Sequence, residues 1–260
     1  MKFNIKNWGI AVIVLVSLVF FNACGDKAIL GDGNIVPADG ARVKFIHAVP
    51  GGAPAVIVYA NGKKITGVNN AVAYGADSIV YGGLFPTTDY ALLTPGAVKF
   101  TAKLSLKDNP RDTTIASSDL NLENGKYYLL VAGDTLPTPK FILVPELRGV
   151  IKSDKKMYLR VVNTISATPA TGYDVYARRG GVSTLMATMK GGDATDYIEY
   201  DPLTTGSDSL YIRAAGGTTN LAALGLGALG ANRNYTFVLR GIGVNSTGTR
   251  AISGTVYRGN

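Results

Sequence analysis

The stretch 55–65, AVIVYANGKKI, holds two strand-like runs separated by the dipeptide Asn61-Gly62. Both residues of a two-residue hairpin turn need a positive φ, which asparagine and glycine adopt most readily. The valines, isoleucine and tyrosine of the first run favour an extended strand. The stretch therefore predicts a β-hairpin, and the same kind of signal recurs along the chain.

Short apolar segments separated by turn residues follow one another at roughly ten-residue spacing. Segment 42–49, RVKFIHAV, alternates, with Val43, Phe45 and His47 on one face of a strand. In NLENGKYYLLVAG, the dipeptide Asn124-Gly125 predicts a second hairpin turn. Sustained helical spacing is scarce after residue 23, so the chain is predicted to be all-β.

The two halves of the chain repeat these segments in the same order. VKFIHA from Val43 corresponds to LRVVNT from Leu159, VIVYA from Val56 to YDVYA from Tyr173, and KYYLLVAG from 126 to NYTFVLRG from 234, with offsets of 116, 117 and 108. Repeats of this length fit two tandem immunoglobulin-like antiparallel β-sandwich domains. We place the domains at 40–147 and 157–260, joined by a linker at 148–156.

A tyrosine corner, in which a phenol bonds back to nearby backbone, is typical of such sandwiches. The L-x-x-G-x-Y spacing of Leu122, Gly125 and Tyr127 predicts one in the first half. The second half keeps Tyr235 but lacks the rest of the pattern, so its corner is less clearly indicated.

The N-terminal 23 residues have the layout of a secretory signal: early lysines, the apolar run GIAVIVLVSLVFF, and the small residue Ala23. Those thirteen apolar residues span only about 20 Å as a helix, too short for a bilayer core of roughly 30 Å. Cys24, the single cysteine, follows directly. Its placement resembles the lipobox of bacterial lipoproteins, which implies a signal peptide at 1–23 and a lipid-bearing Cys24.

Acyl chains such as palmitate on Cys24 would anchor the chain in a membrane, because each buried methylene contributes about 0.8 kcal/mol. Residues 24–39 are predicted to be a flexible tether. By analogy with bacterial sorting rules, Gly25 after the cysteine indicates the outer membrane. Exposure at the cell surface is left open.

The chain carries 26 Lys and Arg against 18 Asp and Glu, a net charge of +8. No acidic residue follows Asp208, whereas five arginines do: Arg213, Arg233, Arg240, Arg250 and Arg258. A surface of one sign attracts anionic polymers. In an exported protein these would be envelope or host polysaccharides rather than nucleic acid, and a merely solvated basic face is the alternative.

Two motifs that carry chemistry elsewhere are better explained by structure here. The segment 225–230, GLGALG, matches a dinucleotide-binding pattern but precedes a strand-like segment without a following acidic residue, so no nucleotide or other cofactor is expected. His47 is the single histidine. Catalysis would need a nucleophile and an orienting carboxylate, and a hydrogen-bonded, half-buried histidine is favoured.

The densest acidic cluster lies in GGDATDYIEYDP and consists of Asp193, Asp196, Glu199 and Asp201. A solvated strand edge is the favoured interpretation. Oxygen-rich loops can hold calcium, so the four residues are weak metal candidates, and paired carboxylates can cleave glycosidic bonds. No other metal site and no catalytic residue is predicted.

Four Asp-Ser or Asp-Thr pairs resemble the O-glycosylation sequon of Bacteroidota. The acceptors implied are Ser78, Thr113, Thr135 and Ser209.

The segments ARVKFIHAVPGGAPAVIVYANGK, YGADSIVYGGL and LENGKYYLLVAG together resemble an exported family of bacterial domains, the domain-of-unknown-function family DUF4397, frequent in lipoproteins of Bacteroidota. The resemblance covers about residues 40–146 and extends to the second repeat in outline. It implies an immunoglobulin-like sandwich and an address in the cell envelope, and it carries no activity or site residues.

The sequence thus favours a non-enzymatic binding or adhesion module, with exposed tyrosines and the C-terminal arginines as candidate contacts. Its partners are the membrane, through the lipid, and an envelope or host glycan or protein. A structural spacer or assembly subunit is the alternative, and a glycan-active enzyme is the least favoured hypothesis.

Overall fold

The computed structural model describes residues 39–51, 55–66, 78–104, 113–136, 138–146, 151–202 and 208–259. The predicted signal peptide, Cys24 and all but the last residue of the predicted tether lie outside these ranges. Within them, no helix is long and apolar enough to cross a membrane.

The described residues form seventeen strands and one short 3-10 helix. The first half contains β1 Ala41–His47, β2 Val56–Ala60, β3 Lys63–Lys64, β4 Leu84–Phe85, β5 Ala91–Leu93, β6 Gly96–Leu104, β7 Thr114–Leu122, β8 Tyr127–Gly133 and β9 Lys140–Glu146. The second contains β10 Met157–Asn163, β11 Tyr173–Arg179, β12 Val182–Met189, β13 Ile198–Tyr200, β14 Ser209–Ala214, β15 Ala222–Gly225, β16 Arg233–Arg240, the helix Gly248–Arg250 and β17 Ser253–Arg258.

Each half builds two sheets with the same strand order. Sheet A is β4-β1-β8-β9, with β5 also on β1, and sheet B is β3-β2-β6-β7. Sheet C is β13-β10-β16-β17, and sheet D is β12-β11-β14-β15. The two halves of the described chain therefore share one strand order. The predicted antiparallel pairing holds except at β1 with β8 and β10 with β16, which are parallel.

An apolar core lies between the two sheets of each half, as the alternating pattern predicts. Phe45 and Phe100 meet at a centroid distance of 6.0 Å in the first core. Val161 and Phe237 belong to the second core. Full burial of such side chains contributes about 1.5 to 3 kcal/mol each, so each half has its own source of stability.

The first predicted hairpin is confirmed. Asn61 and Gly62 join β2 to β3 with φ angles of 47° and 77°. The second predicted hairpin is wrong: Asn124-Gly125 carries the chain from β7 in sheet B to β8 in sheet A, so the turn joins two sheets. A positive φ is needed at both kinds of turn, and sequence alone does not distinguish them.

The tyrosine corner exists in both halves, at Tyr128, one residue beyond the predicted Tyr127, and at Tyr235, the residue that the sequence indicated. The peptide N–H of Glu123 donates to the Tyr128 hydroxyl at 3.1 Å, and that of Gly230 donates to Tyr235 at 3.0 Å. The prediction of Tyr127 is wrong because its side chain lies on the opposite face of β8, where its ring packs against Tyr90.

The same comparison corrects the repeat offset. Val43 pairs with Tyr128, and Leu159 pairs with Tyr235, so these two tyrosines are equivalent and lie 107 residues apart rather than the predicted 108. A one-residue difference matters because side chains alternate between the faces of a strand.

Sheets A and C pack against each other through a third apolar cluster, and Asp39–Asn260 forms one unit. The cluster contains Ile46, Ala48, Leu129, Val131, Val144, Val162, Val238 and Tyr257. Strand β1 is consequently buried on both faces along its whole length. An alternating sequence such as that of β1 is typical of a strand with only one buried face. Here the second half covers the other face of β1 as well.

Candidate functional sites

A cluster of buried polar side chains, which we call the junction cluster, lies between sheets A and C. It is centred on Glu146 at the end of β9 and includes Lys44, Tyr90, Arg160 and Tyr257. The hydroxyls of Tyr90 and Tyr257 both donate short hydrogen bonds to the Glu146 carboxylate. Arg160 reaches the same carboxylate at 3.3 Å, and both side chains are only 3% exposed.

Lys44 and Arg160 occupy equivalent positions in the two halves, on β1 and β10. Lys44 donates to the carbonyl oxygens of Pro86, Thr88 and Asp89 at 3.1, 3.4 and 2.7 Å. Arg160 donates to the Pro145 carbonyl oxygen at 2.9 Å, which links the second half to the first. The cluster therefore satisfies two buried cations with acceptors from both halves, as buried charge requires.

Burial shifts the pKa values of this cluster. Desolvation lowers the pKa of Lys44, partly offset by the Glu146 charge. Desolvation followed by the nearby Glu146 carboxylate raises the pKa values of Tyr90 and Tyr257. The tyrosines therefore remain neutral donors to the carboxylate at neutral pH.

We expect the free energy of unfolding to fall as the pH rises above about 10. In that range the unfolded chain loses phenol protons that Tyr90 and Tyr257 retain in the folded state, so their contribution is full below this pH and is lost above it. The pKa of Lys44 is lowered in the folded state, so Lys44 has the opposite effect. Its contribution to the free energy of unfolding rises with pH just below the ordinary pKa of lysine. Urea unfolding measured across this pH range should show the fall in the free energy of unfolding. Tyr257→Phe should make that fall less steep with pH. A profile identical in the variant would contradict the assignment.

The outer face of sheet D carries a second arrangement, which we call the tyrosine-arginine face. Tyr176 on β11 lies directly opposite Tyr211 on β14. The Arg213 guanidinium lies 4.3 Å from the centre of the Tyr176 ring, and that of Arg178 lies 5.7 Å from the Tyr211 ring. All four side chains are partly exposed. Cations at these distances are attracted by the ring faces.

The sequence contains a signal for this face that its analysis missed. The tripeptide Tyr-x-Arg occurs three times, at 158–160, 176–178 and 211–213, and the last two lie on the neighbouring strands β11 and β14. Alternation puts both residues of each tripeptide on one face. Because β11 and β14 run antiparallel, the tyrosines meet in the middle and the arginines lie at opposite ends. Only the pairing of these strands reveals the set.

The first half has a reduced version of the same face on sheet B. Tyr59 is equivalent to Tyr176, and the ammonium of Lys103, equivalent to Arg213, lies 4.8 Å from its ring centre. Thr101 stands where the second half has Tyr211. The face of sheet B therefore has one cation on one aromatic ring, whereas the face of sheet D has two of each.

The predicted acidic cluster is dispersed among separate partners. Asp193 accepts the peptide N–H of Lys190 at 2.7 Å, Glu199 accepts the Tyr158 hydroxyl at 3.0 Å, and Asp201 pairs with Lys156 at 2.8 Å. Asp196 lies in the same segment. In the part of the chain that the structure describes, no group of three His, Cys, Asp or Glu side chains could hold a metal ion. These contacts give the calcium and glycosidase hypotheses no geometric support.

His47 is fully buried and hydrogen-bonded, more deeply than the half-buried position predicted. Its Nδ1 accepts the peptide N–H of Val49 at 3.3 Å. The equivalent Asn163 uses Oδ1 to accept the N–H of Ile165 at 3.1 Å. His47 and Asn163 thus make the same local hydrogen bond, so the polar side chain at this position has a structural role in each half.

The glycine-rich segment 225–230 ends a strand, as predicted. Strand β15 ends at Gly225, Gly227 has a φ of 69°, and Gly230 donates its N–H to the corner Tyr235. The next element is β16, so no helix N-terminus is available for a pyrophosphate.

The five C-terminal arginines do not form one patch. Arg213 belongs to the tyrosine-arginine face of sheet D. Arg233 and Arg258 lie near one end of the β16–β17 ladder, whereas Arg240 lies at the other end and contacts Thr255 at 3.0 Å. The predicted one-signed surface is therefore divided.

The four predicted glycosylation acceptors lie in different environments. Thr113 is exposed, and Ser78, Thr135 and Ser209 are partly exposed. Thr135 is fixed by its own N–H, which donates to Asp134 at 2.8 Å. Asp77 and Asp112, which precede two of the acceptors, lie outside the described residues.

Comparison with known proteins identifies one family. The profile described as "Domain of unknown function (DUF4397)" matches residues 41–171. This range contains the whole first half and continues through β10 of the second. No curated protein sequence matches the chain.

Solved structures with remote similarity come from Bacteroides. One, described as a "putative cell adhesion protein" from Bacteroides uniformis ATCC 8492, is 11% identical with a TM-score of 0.26, covering 84% of this chain and 98% of that chain. Others with the same description come from Bacteroides fragilis NCTC 9343, 12% identical with a TM-score of 0.20 over 84% and 97%, and Bacteroides eggerthii DSM 20697, 11% identical with a TM-score of 0.25 over 88% and 98%. TM-scores of this size establish no shared function.

Proposed function

This chain belongs to the DUF4397 family, and from that premise we propose that it is a lipid-anchored, non-enzymatic binding or adhesion module of the bacterial cell envelope. In this proposal Cys24 carries the acyl chains, residues 24–39 form the tether, and the outer membrane is the site of anchoring. The sandwiches at 40–147 and 157–260 are the domains that the anchor presents.

The observation that carries the binding role is the tyrosine-arginine face. A structural sheet face in contact with water usually carries small polar or oppositely charged pairs. Here two aromatic rings and two cations share the centre of the outer face of sheet D. Tyrosine and arginine are the residues enriched where proteins bind partners.

The test of the proposed function is cross-linking on intact cells, with the natural full-length protein and a Cys24→Ser variant. We expect the natural protein to fractionate with the outer membrane, to incorporate a palmitate analogue, and to capture a surface glycan or a protein of another cell. The variant should lose the label and the membrane fraction. Failure of the natural protein to incorporate the label would overturn the anchor, and capture of envelope assembly components alone would overturn the adhesion role.

A structural spacer or assembly subunit is the second candidate, favoured by the junction between the halves. A third apolar cluster and a buried ion pair join sheets A and C, which gives a stiff unit of two sandwiches. Stiffness suits a protein that holds a partner away from a membrane. Capture of the same assembly components in every cross-linking experiment would favour this role.

Glycosylation at Ser78, Thr113, Thr135 or Ser209 is compatible with either role. A glycan-active enzyme is the least supported candidate, since the carboxylates proposed for it have separate partners.

A further inference from the structure

We propose that the tyrosine-arginine face binds an acidic polysaccharide whose carboxylates are spaced along an extended chain. This inference deepens the proposed function, and it rests on that function, by naming the class of ligand. It begins from the side chains that the four paired strands of sheet D place on their outer face.

The centre of the face is an apolar row that crosses sheet D. Leu185, Tyr176, Tyr211 and Ala223 are consecutive cross-strand neighbours on β12, β11, β14 and β15. Leu185 is 49% exposed, and Ala223 is also exposed. The aromatic rings can pack against the C–H faces of sugar rings, and the small Ala223 leaves space beside Tyr211.

The two arginines lie at opposite ends of this row and are available to a ligand. Arg178 and Arg213 are placed two residues to either side of the paired tyrosines, so their Cα positions are roughly 14 Å apart along the strands. Among the described residues neither forms an ion pair, and the hydrogen bond of Arg213 is to Asn220 Oδ1 at 2.7 Å.

The carboxylate opposite Arg213 does not neutralise this face. Asp174 lies opposite Arg213, but it is 5% exposed and accepts the Thr188 hydroxyl at 2.5 Å and the Gly216 N–H at 2.8 Å. These hydrogen bonds hold the Asp174 carboxylate at the strand end, and among the described residues it forms no ion pair with Arg213. Two guanidinium groups face one carboxylate, so the face keeps a net positive charge.

The positive charge of the face indicates which class of ligand it binds. A guanidinium binds a carboxylate through two parallel hydrogen bonds, and its planar form also stacks on an aromatic ring. A polymer of uronic acids presents carboxylates and apolar ring faces together along an extended chain, which matches two cations separated by two aromatic rings. A neutral glycan would offer neither guanidinium group an anionic partner.

The probe is polygalacturonate, with the fully methyl-esterified polymer as its uncharged match, bound to full-length protein purified from membranes. We expect saturable binding to polygalacturonate and none to the ester. Tyr176→Ala and Arg213→Ala should each weaken affinity about tenfold, the first because it removes a ring that packs on sugar and the second because it removes a charged hydrogen-bond donor. Arg213→Lys should recover only part of the affinity.

Matched variants on the first half test whether binding requires the tyrosine-arginine face or only a basic surface. Tyr59→Ala and Lys103→Ala remove the equivalent pair of sheet B and should change affinity less than about twofold. An unchanged thermal midpoint confirms that a variant is folded, and Tyr176→Phe offers a milder second variant of the same ring.

Three results would overturn the proposal: no binding to polygalacturonate, equal binding to its ester, or equal weakening by the sheet B variants. Equal competition by polyglutamate or single-stranded DNA would also overturn it, since the sugar rings would then contribute nothing. The cross-linking experiment is independent of these results, so a surface partner captured without polygalacturonate binding would leave the binding role intact and remove only this ligand.

Discussion

Replacement of Glu146 by glutamine is expected to lower the free energy of unfolding by about 3 to 5 kcal/mol, because it removes one partner of a buried ion pair. The change leaves Arg160, 3% exposed, without its counter-ion. It also weakens the acceptor that Tyr90 and Tyr257 share. Urea unfolding followed by circular dichroism measures the loss.

The matched control is Asp201→Asn, which removes an exposed ion pair with Lys156. Solvent screens such a pair, so the midpoint should not move measurably. The double variant Glu146→Gln with Arg160→Met should recover part of the loss, since the buried charge of Arg160 is then removed together with its counter-ion. An equally small effect of Glu146→Gln and Asp201→Asn would show that the junction cluster does not stabilise the fold.

Val162→Asp is expected to separate the unfolding of the two halves. Val162 is fully buried in the apolar cluster between sheets A and C, and an unpaired carboxylate there costs more than about 3 kcal/mol. The natural protein should unfold in one cooperative transition because its halves share this cluster. The variant should show a lower transition for the second half and a later one for the first, which keeps its own core.

Scanning calorimetry distinguishes these outcomes, and Val182→Asp on the 67% exposed edge of sheet D is the control. That variant should retain one transition near the natural midpoint. Two transitions already present in the natural protein would mean that the junction does not couple the halves.

The candidate sites could be predicted only in part. The sequence analysis named exposed tyrosines and C-terminal arginines, and Arg213 is among the residues that the structure places at the face. It did not single out Tyr176, Arg178 or Tyr211, because a Tyr-x-Arg tripeptide acquires meaning only when a second one is its cross-strand neighbour. Glu146 gave no signal, since its partners lie up to 111 residues away.

The sequence by itself determined the all-β class and the hairpin at Asn61-Gly62, because these depend on alternation and on turn residues that are local to the chain. Tertiary structure decided which tyrosine forms each corner and that β1 is buried on both faces. It also decided that Lys44 and Arg160 become interior charges, Lys44 held by acceptors of the first half and Arg160 by acceptors of both halves. The physical reason is that strand register and sheet packing are long-range: one residue of register reverses every side chain, and the partner of a face is a different part of the chain.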